Sequence, residues 1–282
     1  MDGTIEIICP LYNAENYIIN LNKSFNMQEK ANLKKVTYLL TESEDKSEQI
    51  LKENNLNYEI IKKEEFSHSV TRENAAMKSK EDIIVFVSQD VVIENKDWLF
   101  ELTKDITDDD IVACYSKQIS KYDNLEKYTR EFNYPNYDIV KSKEDIPKMG
   151  IKTFFSSDAS KAISSKVFKE LKGFDHKKMS MSEDMYFDYK AINKGYRVKY
   201  CSKSIVYHSH KFTLKQIYNR YKANGQFFKE NEQFEQYGKK NFGWKLAKYV
   251  LKRAFQDRDI KVILRWLPDM AARYLGMKAG KM

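Results

Sequence analysis

Asp90 closes the segment Ser88-Gln89-Asp90, which follows five apolar residues, Ile83-Ile84-Val85-Phe86-Val87. Glu183-Asp184 opens a helix-like segment, and His208-Ser209-His210 follows the strand-like stretch Ser204–Tyr207. A carboxylate at a strand end can hold a hard divalent cation against phosphate oxygens, with the cation as Lewis acid. A carboxylate at the mouth of a site can take the proton of an attacking hydroxyl. A neutral imidazole ligates divalent metals, and a protonated one pairs with phosphate. On an extended segment residues i and i+2 share a face, so His208 and His210 point the same way. Each feature also has a plainer reading. Asp90 can simply end a loop, Glu183 and Asp184 can complement a helix dipole behind a Ser182 cap, and His208 can be a hydrogen-bonded loop residue.

The elements that must position these residues alternate. Strands are predicted at Ile5–Cys9, Val36–Leu40, Tyr58–Ile61 and Ile83–Val87, with helices over 15–27, 47–54 and 69–79 between them. Asp97 is placed to cap a helix over 98–107. Such spacing indicates a parallel sheet of βαβ units, whose ligands bind beyond the carboxyl ends of the strands. The second half is less regular. Strands are expected at 112–117, 196–200 and 204–207, and extended chain at 153–156. Helices are expected at 125–133, 165–171 (capped by Gly173), 183–194 (closed by Gly195) and 214–228, with a charged loop over 141–150.

The chain has 282 residues, 42% hydrophobic and 32% charged, enough for one α/β domain with an extension and incompatible with disorder. No apolar run reaches the ~18 residues of a spanning helix. The opening residues run straight into the first strand, and Cys9, Cys114 and Cys201 lie apart in apolar runs. Both features suggest a cytoplasmic protein without a secretory leader and with reduced core thiols. The net charge of +8 is not evenly spread: residues 238–282 hold 12 Lys/Arg against 3 Asp/Glu. A basic tail that mixes Trp244, Lys248, Tyr249, Arg253, Phe255, Arg265 and Trp266 suits helices lying on an anionic membrane, peripheral at its inner face. Pro268 is expected to break this tail into two helices. Packing on the main domain, or homodimerisation, are its other uses.

The motifs, taken in order, resemble family 2 glycosyltransferases of the GT-A fold, in their bacterial rhamnosyltransferase branch. They are Pro10-Leu11-Tyr12-Asn13, Phe66-Ser67-His68-Ser69-Val70-Thr71-Arg72, Val87-Ser88-Gln89-Asp90, Tyr115-Ser116-Lys117-Gln118, Gly173-Phe174-Asp175, Glu183-Asp184-Met185 and Val206-Tyr207-His208-Ser209-His210. The resemblance implies a GT-A domain over 1–228, with a doubly wound, Rossmann-like mixed sheet, and a basic helical extension over 229–282. It implies an inverting transfer of a sugar, L-rhamnose from dTDP-rhamnose or another from a UDP-sugar, to a hydroxyl of a cell-surface polysaccharide or polyprenyl-linked glycan. It further implies Mg²⁺ or Mn²⁺ held by Asp90 and His208, although Ser88 replaces the first Asp of the usual Asp-x-Asp motif. Asp184 is the implied base, with Glu183 beside it. Pro10, Tyr12, Asn13, Glu42, Arg72, Gln89 and Asp90 are implied donor contacts, with Glu42 or Thr41 standing in for the family's base-binding Asp. Ser157 and Asp158 are placed on the acceptor side. A nucleotidyltransferase is the competing enzyme class, but Pro10 to Asn16 lacks the Gly-rich phosphate loop. A nucleic-acid-binding module built on the basic tail is the competing non-enzyme reading, without a recognised motif; no nucleic-acid partner is expected.

Overall fold

Near-continuous apolar runs dictate strands buried on both faces, and these form the centre of the sheet. A computed structural model describes residues 3–238 and 242–282. In chain order the first half comprises β1 (Ile5–Leu11), α1 (Ile18–Asn26), β2 (Leu33–Thr41), α2 (Ser47–Glu53), β3 (Tyr58–Ile61), α3 (His68–Lys78), β4 (Ile83–Val87) and α4 (Trp98–Thr103). There follow β5 (Ile111–Ile119), α5 (Leu125–Asn133), β6 (Ile139–Lys141), α6 (Ile146–Met149), β7 (Ser160–Ser164), α7 (Ser165–Glu170), α8 (Glu183–Lys194) and β8 (Arg197–Tyr207). The chain ends with α9 (Leu214–Glu230), α10 (Phe242–Gln256) and α11 (Ile260–Lys281).

The eight strands are ordered β3-β2-β1-β4-β7-β5-β8-β6. β1 pairs in parallel with β2 on one side and with β4 on the other, so the winding reverses between β1 and β4. A crevice opens at such a reversal, beyond the strands' carboxyl ends. β7 runs antiparallel to both β4 and β5, and β8 is parallel to β5. The carboxyl ends of β1, β4, β5 and β8 therefore share one rim with the start of β7. A bridge between Val92 and Tyr207, with both N–H···O bonds at 2.9 Å, draws the segment after β4 against the end of β8. Apolar clusters fill both faces of the sheet. One packs α1 and α4 through Leu21, Phe25, Trp98 and Leu102; the other packs α7 and α8 through Phe168, Phe174 and Phe187.

The predicted α/β architecture is observed, and all three cysteines are buried and free. Several local expectations change. Of residues 153–156, expected extended, Thr153 and Phe154 belong to a 3-10 turn over Gly150–Phe154. The expected loop at 141–150 starts with Lys141 inside β6 and contains α6. Asp97 occupies its cap position without a capping bond and pairs with Lys30 at 3.0 Å instead. Ser182 has φ 66 and no capping bond; its Oγ donates to Asn224 Oδ1 at 3.3 Å. Pro268 lies inside the continuous α11, because the chain already turns at Asp257–Asp259. The tail is not detached. Val250, Ala254 and Val262 pack on Leu125 and Tyr128 of α5. Gly276 and Gly280 let α11 approach α9 so closely that a Cβ at Gly280 would meet the Lys222 carbonyl. α9 crosses residue 228 without a break, so it serves both sides of the expected domain boundary.

Candidate active site

At the reversal point, Asp90 meets the end of β8. Its Oδ1 lies 3.3 Å from His208 Nε2 and its Oδ2 lies 3.4 Å from His210 Nδ1. One ligand atom from each of the three side chains falls within 4.8 Å of the others. The His208 tautomer can be argued from its neighbours. Arg130 Nη1, which only donates, bonds Gln118 Oε1; the same oxygen sits 3.0 Å from His208 Nδ1. His208 Nδ1 therefore carries hydrogen, and in the neutral ring Nε2 turns a lone pair on the Asp90 carboxylate. Two facing electron pairs call for a proton or a cation between them, so the residues fit a divalent ion. Burial alone raises the Asp90 pKa. The His208 hydrogen bond, and the charges of His208, His210 and Lys121, outweigh it and bring the carboxyl down to about 2. Burial, reinforced by the His208 charge, lowers His210 to about 4, which keeps it neutral and able to ligate.

A second acidic cluster lies along the rim, where the start of β7 meets α8. Asp184 is half-buried; its Oδ2 accepts from the Asp158 amide at 3.3 Å. Burial, then the adjacent Glu183 charge, push Asp184 up to about 7, against the lowering pull of Lys161. Glu183 is buried and paired with Arg72 Nη1 at 3.1 Å. Asp158 is buried with neither carboxyl oxygen bonded; burial raises it well above the carboxylate range. Beneath them Lys161 Nζ donates to Asp188 Oδ1 at 2.6 Å.

A cleft of ≈ 700 Å³ extends from Asp90 towards β2. Pro10, Tyr12, Arg72, Gln89 and Asp90, read from the sequence as donor contacts, line it together with Thr41, Phe66 and His68. Asn13 and Glu42 stand outside this lining. Asn13 takes φ 46 and accepts from the Glu44 amide, while Glu42 is exposed and accepts from the Lys63 amide at 3.2 Å. Of the two stand-ins for the base-binding Asp, it is Thr41 that faces the cleft. Gln89 clamps the Tyr12 backbone through both its amide atoms, at 2.7 and 3.0 Å. Ser157 Oγ accepts from the Ala159 amide at 3.4 Å, a turn contact beside Asp158. Sequence reasoning had paired His210 with His208 on one face but had not assigned it to the metal. It gave no role to Lys161, Asp188 or Gln118. Lys161 and Gln118 could have been flagged as polar residues inside strands β7 and β5, while Asp188 lies one turn after Asp184 on α8.

A reversal-point cleft with Asp90 on its wall, an Asp/His triad at Asp90 and a carboxylate of raised pKa elsewhere on the rim fit a transferase scaffold. The chain belongs to glycosyl transferase family 2, whose profile matches residues 6–172. It is 33% identical over 233 residues to the O-antigen chain rhamnosyltransferase WbaN of Salmonella anatum, covering 79% of this chain and 71% of that protein. With the O-antigen chain rhamnosyltransferase RfbN of Salmonella typhimurium it shares 31% over 289 residues, covering 98% and 89%. Among solved structures, the Pyrobaculum calidifontis mannosyltransferase PcManGT, in complex with GDP-Man and Mn²⁺, superposes with a TM-score of 0.66. The identity there is 13%, over 99% of this chain and 87% of that one. S. aureus TarS 1–349 with UDP-GlcNAc gives 0.56 at 16% identity, over 98% and 91%. The protein is a glycosyltransferase of the GT-A fold.

Proposed function

We propose that this enzyme is a metal-dependent, inverting rhamnosyltransferase that moves L-rhamnose from dTDP-L-rhamnose to a hydroxyl of a growing cell-surface glycan. The relatives' stated O-antigen activity supports the sugar and the acceptor class. UDP-sugars are the second donor class, supported by the complex of the structural neighbour TarS with UDP-GlcNAc. The observation that carries the reading is the convergence of Asp90, His208 and His210, with one ligand atom from each within 4.8 Å of the others.

Asp90, His208 and His210 would hold the cation, which when bound neutralises charge on the departing nucleoside diphosphate. One carboxylate with two imidazoles favours Mn²⁺ over Mg²⁺, which prefers oxygen shells. Arg72 lines the cleft with its charge balanced by Glu183, so it orients the donor without adding net charge. Asp184, half-exposed and titrating near neutrality, accepts the acceptor's proton as its oxygen attacks the anomeric carbon. Asp158 and Ser157 flank it on the acceptor side.

The division into a catalytic domain over 1–228 and an extension over 229–282 belongs to this reading, with α9 as the shared beam. Membrane contact through the extension is supported by an exposed apolar stripe on α11, Ile260, Leu264, Leu267 and Tyr274, beside exposed Lys261 and Lys278. No helix among the described residues is long and apolar enough to cross a membrane. A polyprenyl-linked, phosphate-bearing acceptor is supported by a second cavity of ≈ 540 Å³. Its wall joins His210 to Lys121, Lys211, Arg265 and Arg273. The deciding experiment is a thermal-shift screen of dTDP-, UDP- and GDP-sugars with and without Mn²⁺. Stabilisation by dTDP-L-rhamnose only when Mn²⁺ is present is expected; equal stabilisation without the ion sinks metal dependence, and selection of another sugar sinks the donor.

A further inference from the structure

Strand β7 carries a lysine where the middle of a sheet should carry an apolar residue. Lys161 is 0% exposed and pairs with Phe86 on β4 and Tyr115 on β5. A buried ammonium survives only when its donors are used and its charge is answered. Here Nζ donates to Ser156 Oγ at 2.9 Å, to the Asp184 carbonyl at 3.1 Å and to Asp188 Oδ1 at 2.6 Å. Asp158 Oδ1 lies 3.9 Å away. One ammonium thus reaches a loop before β7, the first turn of α8 and a carboxylate one turn further on.

The turn that it reaches lacks the usual start of a helix. Ser182 is left-handed and its side chain makes no capping bond; within the turn, Met185 N–H donates to Asp184 Oδ1 at 2.7 Å and Tyr186 N–H to the Ser182 carbonyl at 3.0 Å. The bond from Lys161 to the Asp184 carbonyl ties that turn to the sheet floor. We propose that Lys161 is a positioning residue for Asp184: it fixes the carboxylate's place at the rim and supplies the positive charge that keeps it available as a base. This rests on reading Asp184 as the base.

The groups facing Asp184 are Glu183 and Asp188 on its own helix, Asp158 from the loop before β7, Lys161 on β7, Lys141 on β6 and Tyr134 after α5. Lys141 is a poor second cation, because burial pushes it down to about 7 and its Nζ is taken by the Phe155 carbonyl. Burial and Glu183 drive Asp184 upward while Lys161 pulls it down, so removing Lys161 raises it further.

The test uses the full chain labelled with [¹³C]aspartate. The Asp184 carboxyl resonance is assigned by its loss in Asp184→Asn and titrated by NMR in the wild type, Lys161→Met and Lys161→Met/Asp188→Leu. The double variant removes both charges, so Asp188 is not left unpaired in the core, and it decides the matter if the single variant is insoluble. The Asp184 midpoint is expected to move to higher pH by about one pH unit in the single variant and by less, in the same direction, in the double one. Nucleotide release from dTDP-L-rhamnose with Mn²⁺ should follow, falling ~10-fold at the acid end of the profile and converging on the wild type at high pH, with the donor KM unchanged. An unmoved midpoint, or a loss of rate equal at every pH, overturns the proposal. If Asp184→Asn keeps wild-type turnover, the base reading itself fails; an inactive Asp184→Asn beside an unmoved Lys161→Met midpoint defeats the positioning role alone.

Discussion

The rim of the sheet holds two carboxylates that burial pushes in the same direction and their neighbours push in opposite ones. Asp90 faces His208, His210 and Lys121, and ends near pKa 2; Asp184 faces Glu183 and Asp188 with one lysine beneath, and ends near 7. The first therefore stays an anion at any working pH, fit to anchor a cation. The second exchanges a proton near neutrality, fit to serve as a base. Roles that the bare residue types leave undecided are separated by what stands within a few ångströms.

The strongest blow to this contrast is Asp90→Ala. If the metal corner carries charge stabilisation worth about 5 kcal/mol, turnover with Mn²⁺ should fall on the order of 10⁴-fold. A variant within tenfold of the wild type would remove the metal corner from the mechanism. Asp184→Asn comes next. Transfer should drop about 10³-fold while dTDP-sugar affinity, read by calorimetry, stays within twofold. A matching loss of affinity would make Asp184 a donor contact and merge the two corners into one.

The same two positions show what the sequence reveals and what it conceals. Asp90 was readable because it follows Ile83–Val87, the most continuous apolar run of the first half, and a parallel sheet must present its strand ends at one rim. Its histidines were readable as a pair on one face, but the contact with Asp90 needed the Val92–Tyr207 bridge, which no local pattern encodes. Asp184 was readable as an acidic residue at a helix start, where a dipole explains it equally well. Its raised pKa depends on Asp158, Lys161 and Asp188, brought together by β7 running antiparallel between β4 and β5. A mixed sheet was expected but no strand at Ser160–Ser164, so the place of the antiparallel insertion, and the lysine buried on it, went unread. Ser182 misled for a related reason: a cap-type residue before a helix is a propensity, and here packing holds its backbone left-handed.

Stability sharpens the contrast further, because the two shifts have opposite signs. A depressed pKa gives Asp90 a contribution that is present above its unfolded value of about 3.9 and lost as pH falls towards 2. A raised pKa gives Asp184 a penalty that is absent below ~3.9, grows with pH and is complete above 7. Asp184→Asn at pH 8 should therefore gain about 1–2 kcal/mol, after discounting for screening at this partly exposed group, whereas chelator-treated Asp90→Asn should lose stability only where its histidines are protonated. At pH 4 the Asp184→Asn gain should vanish. Urea melts at both pH values check this, and an Asp184→Asn gain as large at pH 4 as at pH 8 would show that the raised pKa is not its source.

The smallest effect tests whether the extension stands apart from both corners. Its inner face is committed: Val250 and Ala254 lie on α5, and Gly276 and Gly280 lie against α9. Its outer face is not, since Leu264 is 75% and Leu267 67% exposed. Replacing both with Glu leaves the packed face untouched, so the fold and turnover on a soluble acceptor should change less than twofold. Sedimentation with vesicles containing phosphatidylglycerol should drop at least ~10-fold, because two apolar contacts are lost and two repulsive charges gained at the anionic surface. Unchanged sedimentation would assign the stripe to a second copy of the chain, which analytical ultracentrifugation of the wild type would then register as a dimer that the variant cannot form.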